Sequence, residues 1–150
     1  MEKSKKGSPV TLDLSSFRKA VASLESALKV YDGGAAKSLS RETREVIKAG
    51  VIQNFEFTYE LSHKMLKRYL EMTAGNPAEF EEMAFPDLIR TGSEKGLLLN
   101  GWDVWKDYRK ARGTTSHTYD QEKADEIMAK VPQFLAEARH LLTTLEKRNG

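Results

Sequence analysis

The stretch 41–73, RETREVIKAGVIQNFEFTYELSHKMLKRYLEMT, contains no proline, and Gly75 and Pro77 close it. It predicts one long helix. Val46, Ile47, Val51, Ile52, Phe55, Phe57, Tyr59, Leu61, Met65, Leu66, Tyr69 and Leu70 are too many for a single apolar stripe. A helix apolar on more than one side needs neighbours on more than one side, so this segment should be the spine of a bundle. Gly50 costs roughly 1 kcal/mol relative to Ala inside a helix, which predicts close packing at that point.

Working outward, Phe17, Val21, Leu24, Leu28 and Tyr31 recur at steps of four and three, drawing a helix over about 14–32. Asp13, Ser15 and Ser16 offer caps at its start, and Gly33-Gly34 a stop. Residues 76–84 read as a linker or short turn. Pro86 opens a helix of about 86–98, and Asn100-Gly101 breaks it. Trp102 to Arg112 forms another, anchored by Trp102, Trp105 and Tyr108, with Gly113 as a left-handed stop. The three aromatics suit either a dimer interface or the core. From about 119–121, Ile127, Val131, Phe134, Ala138, Leu141 and Leu145 keep helical rhythm, with a kink expected at Pro132. No stretch alternates with a period of two. The expectation is an all-α, up-and-down bundle of four to five helices, with residues 1–11 a flexible basic tail and 12–150 a single domain.

Charge narrows the functions available. The 24 Lys+Arg and 22 Asp+Glu of the 150 residues leave +2. Lys3, Lys5 and Lys6 against Glu2 account for it, so residues 9–150 sum to zero. A surface basic all over is excluded, and any attraction for phosphate must be local. With no cysteine, thiolate metal sites and cysteine nucleophiles are excluded. There is no H-E-x-x-H, no phosphate-binding glycine loop and no G-x-S-x-G, so neither a metal nor a cofactor is expected. The paired acids Glu81-Glu82 and Asp125-Glu126 diverge on a helix and should be solvated surface. No apolar run is long enough to span a bilayer and no leader is evident, which predicts a cytoplasmic protein.

Residues 105–120, WKDYRKARGTTSHTYD, concentrate chemistry at a bend between two helices. Lys106, Arg109, Lys110 and Arg112 precede hydroxyls that include Ser116, the imidazole of His117 and the phenol of Tyr119. Arg112 can hold a phosphate as a permanently charged fork. His117, with an ordinary pKa of about 6.5, can move a proton near neutrality. Together they suit metal-free RNA cleavage, in which a base deprotonates the 2′-OH and a cation stabilises the crowded phosphate. DNA would be spared. One histidine is thin for both acid and base roles, and a two-fold dimer would supply the second. A plain structural reading stands beside this. Thr118-x-x-Gln121 is a capping box, Asp120 could equally cap the last helix, Tyr119 could staple it, and Arg112 suits a helix C-terminus.

Gly50-Val51-Ile52-Gln53-Asn54-Phe55-Glu56-Phe57-Thr58-Tyr59-Glu60-Leu61, with Lys64 following, resembles the second-helix signature of the nucleotidyltransferase substrate-binding protein family. Arg112-Gly-Thr-Thr-Ser-His117-Thr-Tyr119-Asp120 resembles its later motif, the R-x4-H-x-Y form of the HEPN superfamily. The likeness spans about 12–147. It implies a HEPN-like helical bundle that dimerises and associates with a small nucleotidyltransferase encoded nearby, the pair acting as toxin and antitoxin. It further implies a metal-independent ribonuclease site at the dimer interface, with Arg112 as phosphate clamp and His117 as acid/base. Tyr119 would be the phenol that the partner nucleotidylates to silence the site. From the segment's own chemistry, Ser116 and Arg109 are further candidate binding residues. Two positions depart from the family pattern. Gly113 stands where Asn is frequent, removing an amide that could bond RNA or the histidine. His63 stands where Trp is usual, and we expect a packing role there. The alternative functions are a non-catalytic docking or substrate-presenting subunit of a two-component nucleotidyltransferase, and a structural dimeric bundle.

Overall fold

A computed structural model describes residues 11–149. The basic tail expected over 1–11 therefore lies outside the described residues except for Thr11, which is exposed. The long helix forms as expected. Called α3, it spans Arg41–Thr73 and starts where the Ser40 side chain accepts a hydrogen bond from the Thr43 N–H. The helix before it, α1, spans Ser15–Asp32, and a four-residue turn of helix, α2 (Gly34–Lys37), links the two. After a 3-10 turn at Pro77–Phe80 come α4 (Phe85–Glu94), α5 (Trp102–Gly113) and α6 (Gln121–Arg148). The five longer helices are the predicted ones, and no described residue lies in a strand.

The spine role of α3 follows from its two-sided apolar pattern. It packs against α1 and α6 and also meets α4 and α5. Phe55, Val51 and Leu66 are wholly buried along it. Phe134 of α6 meets Phe55 edge-on at 5.1 Å and Tyr108 of α5 at 5.2 Å, and Trp105 meets Tyr108 at 5.2 Å. Buried aromatics at such spacings stabilise by roughly 0.5–1.5 kcal/mol per pair beyond their area. Trp105 and Tyr108 are thus core residues, while Trp102 packs partly buried against Phe85. Three large apolar residues of α3 remain uncovered, Val46 at 73% exposure, Phe57 at 55% and Met72 at 40%.

The glycines are where the structure differs most from expectation. At Gly50 an added Cβ would meet nothing within 4 Å, so no close packing explains it. The tightly packed glycine is Gly92, where a Cβ would come within 3.1 Å of both Leu66 and Leu98. Gly113 has no positive φ and ends α5 within helical geometry; the left-handed residue is Gly96, at φ 77°. It stops α4 at Glu94, four residues before the expected end. Gly96 N–H donates to Ser93 O at 3.1 Å, and Leu97 N–H to Gly92 O at 2.9 Å, the paired bonds of a Schellman turn. Leaving the helix there lets Leu97 and Leu98 enter the core. Pro132 is exposed, and α6 continues through it between the buried Val131 and Phe134.

One buried charge holds the α4–α5 connection in place. Glu137 of α6 is wholly buried, and its carboxylate accepts from Leu99 N (2.6 Å), Asn100 N (3.1 Å) and Asn100 Nδ2 (3.1 Å). A buried carboxylate survives only with such donors. Glu137→Ala would strand three donors, and we expect a loss of about 3 kcal/mol in urea unfolding. A midpoint equal to wild type would show that the connection does not depend on this carboxylate.

Candidate functional site

The last turn of α5 brings Arg112 against α3. Its Nε donates to Glu60 Oε1 at 2.8 Å, and Nη1 lies 3.1 Å from Glu56 Oε2. Glu56 and Glu60 are one helical turn apart, so both reach the same guanidinium. Thr115, buried in the 3-10 turn Thr115–His117, completes the clamp. Its hydroxyl lies 3.0 Å from Glu56 Oε2 and 2.9 Å from Arg112 O, and it accepts from Arg112 Nη1 at 3.4 Å. The Arg112 side chain is still one-third exposed. Among the described residues, Nη2 is the nitrogen that these bonds leave for a ligand.

The 3-10 turn carries His117 away from that clamp. Its Nδ1 lies 3.3 Å from the Tyr119 hydroxyl, and Tyr119 is 82% exposed. Ser116 is exposed beside them. No hydrogen bond joins Arg112 to His117 among the described residues: Arg112 bonds Glu56, Glu60 and Thr115, and His117 faces Tyr119. Arg109 is one turn before Arg112 and shares a cleft with it. Its guanidinium carbon lies 5.4 Å from the centre of the Phe85 ring. Of the two caps offered by the sequence, Asp120 is the one used, accepting from the N–H groups of Glu122 and Lys123.

Lys48 fixes the entry to α6 from below. It is buried on α3 and donates to Gln121 Oε1 at 3.0 Å and Asp125 Oδ1 at 2.9 Å. Burial opposes its charge, but the bonds to Asp125 and Glu45 overcome that and raise its pKa. Asp125 is therefore half of an ion pair, not the plain solvated surface expected of it. Gln121, Thr118 and Tyr119 line a hollow with Lys48.

Sequence reasoning passed over two residues at this site. Glu56 and Glu60 were visible only as acids at a spacing of four on the helix that carries the first motif. His63 lines the Arg112 cleft with Glu60, Phe85, Arg109 and Gly113, and burial lowers its pKa below the usual 6.5. Burial also pushes Tyr59, on the same cleft, up to about 12. Among the described residues no three His, Asp or Glu side chains converge as a metal site, and no helix is long and apolar enough to cross a membrane.

Residues 12–147 match the family described as nucleotidyltransferase substrate binding protein like. The chain belongs to this family. A relative from Haemophilus influenzae, named Probable ribonuclease HepT, is 43% identical over 106 residues, covering 71% of this chain and 72% of the relative. A solved chain from Haemophilus influenzae is described as revealing the fold of a substrate-binding domain of a nucleotidyltransferase. It matches with a TM-score of 0.83 at 37% identity, over 89% of this chain and 99% of that one. The helical bundle is thus that of the nucleotidyltransferase substrate-binding family, and both motif stretches lie within the matched residues.

The lowered pKa of His63 has a sign that can be checked. The folded state holds the ring neutral, so its share of stability is present above about pH 6.5. As pH falls through that value toward the lowered folded pKa, the unfolded chain takes up the proton first and stability drops. Urea midpoints from about pH 7.5 to about pH 5.5 should fall further for wild type than for His63→Gln. Identical slopes would remove the effect.

Proposed function

We propose that this protein is the partner of a small nucleotidyltransferase and that it cuts RNA without a metal, at a site two protomers build together. The observation that carries this reading is the fixed guanidinium of Arg112, part-exposed and oriented by two carboxylates at the edge of a cleft. A preorganised cation of this kind is what a crowded, charge-accumulating phosphate requires. The family membership and the relative named a probable ribonuclease support the same chemistry.

In the proposed reaction one imidazole removes the proton of a ribose 2′-OH. The freed oxygen attacks the adjacent phosphorus while Arg112 stabilises the added charge. The bond to the 5′-oxygen breaks, and a second imidazole returns a proton to that leaving oxygen. The products are a 2′,3′-cyclic phosphate and a 5′-hydroxyl. His117 of each protomer supplies one imidazole, which explains why a single chain need not bring Arg112 and His117 together. Tyr119 supports the link to a nucleotidyltransferase, since its exposed hydroxyl is open to a second enzyme. Attack of that oxygen on the α-phosphate of a nucleoside triphosphate, with pyrophosphate leaving, would place an anionic nucleotide beside His117 and silence the site. The pair would then behave as toxin and antitoxin.

A second reading is favoured by the same clamp. Glu56 and Glu60 together outweigh the single charge of Arg112, which suits a docking or substrate-presenting subunit that never cleaves. Gel assays on purified protein separate the two. We expect RNA cleavage that chelator does not abolish and that drops about 100-fold or more in Arg112→Ala and in His117→Ala. Mixing the two inactive variants should not restore it, because a mixed dimer holds one His117 where the reaction needs one from each protomer. Intact RNA, with the neighbouring nucleotidyltransferase still captured, would replace this reading with the docking one.

A further inference from the structure

The cleft beside Arg112 holds more than a phosphate clamp needs. Its volume is about 320 Å³. On one wall His63 meets Phe85 edge-on, with ring centroids 4.5 Å apart at 65°. Arg109 lies over the Phe85 ring, and Arg109 and Arg112 both border the cleft. A second hollow, of about 450 Å³, shares Glu60 and His63 with the first and extends along α3 to Lys64 and Lys67. Four cations and one acid thus line a continuous groove, on a chain whose residues 9–150 carry no net charge. This is the local basic cluster that the charge balance demands of any phosphate-binding surface here.

We propose that this groove is a nucleotide-binding subsite, in which a base packs against the Arg109–Phe85–His63 wall while Arg112 and the lysines of α3 take the adjoining phosphates. Bases stack on aromatic rings and on guanidinium planes alike, so a ring carrying a guanidinium is a suitable surface. Burial keeps His63 neutral, so one ring nitrogen can give a hydrogen bond and the other can accept one from a base edge. The subsite rests on the RNA reading above but differs from it, because it concerns binding and His63 rather than cleavage and His117. A nucleoside phosphate could reach it as part of an RNA strand or as a free nucleotide; we assign the strand, since the groove continues past the first cleft toward Lys67.

Fluorescence anisotropy with a labelled 2′-O-methyl oligonucleotide tests this, because such a strand has no 2′-OH to attack. We expect Arg109→Ala and His63→Ala each to weaken binding about fivefold or more. His140→Ala, on α6 beside Gly96, should bind as wild type. Arg109 is exposed, so its replacement probes the groove without disturbing the core, and circular dichroism verifies the His63 variant. Strand binding indifferent to both residues, or absent in the folded wild type, overturns the subsite. Saturable ATP binding without strand binding overturns the assignment to RNA. Strand binding that depends on both residues, in a protein that leaves RNA intact, supports the subsite and overturns the ribonuclease reading alone.

Discussion

Two carboxylates on one face of α3 grip a single guanidinium at the end of α5. The rest of the site is arranged around that grip. It decides where Arg112 sits, which wall of the cleft it shares with Arg109, and how the chain leaves α5 for the 3-10 turn. The grip is not what holds the fold together. Part-exposed ion pairs contribute about 0.2–1 kcal/mol each, whereas a buried aromatic or aliphatic side chain contributes about 1.5–3 kcal/mol. The core of Phe55, Trp105, Tyr108 and Phe134 fixes α3, α5 and α6, and only then can Glu56 and Glu60 orient the arginine. Stability comes from the core, and orientation from the clamp.

A second polar link works at the other end of the same loop. Lys48 ties the first turn of α6 to α3 through Gln121 and Asp125. The segment from Thr114 to Asp120 is therefore anchored on both sides to the long helix, by Arg112 before it and by Gln121 after it. Between these anchors Tyr119 stands almost wholly in solvent. A loop fixed at both ends but exposed at its middle presents its phenol without the entropy cost of a mobile segment.

The helices were legible in the sequence because their burial repeats every three or four residues. The stripe of Phe17, Val21 and Leu24 predicted α1 within one residue of its start, and the two-sided pattern of 41–73 predicted a spine. The glycines were not legible. Whether Gly50 or Gly92 lies against a neighbour depends on Leu66 and Leu98, which are distant in sequence or outside the helix. Likewise Gly96, not Gly113, takes the left-handed turn, because Leu97 must reach the core. The site divides along the same line. Arg112, His117 and Tyr119 lie within one short segment and announce themselves as a group. The bond from Arg112 to Glu60 crosses 52 residues, and the pairing of His63 with Phe85 depends on where α4 begins. Local chemistry could be read from spacing; its partners required the packed bundle.

Under the proposed function, Arg112 meets a phosphate while still held by α3. A crystal structure of the protein with a 2′-O-methyl oligonucleotide tests it most directly. The predicted result is a backbone phosphate on Arg112 Nη2, with the contacts to Glu56 and Glu60 intact. A guanidinium swung away from both carboxylates, or a strand bound on another face, would contradict it.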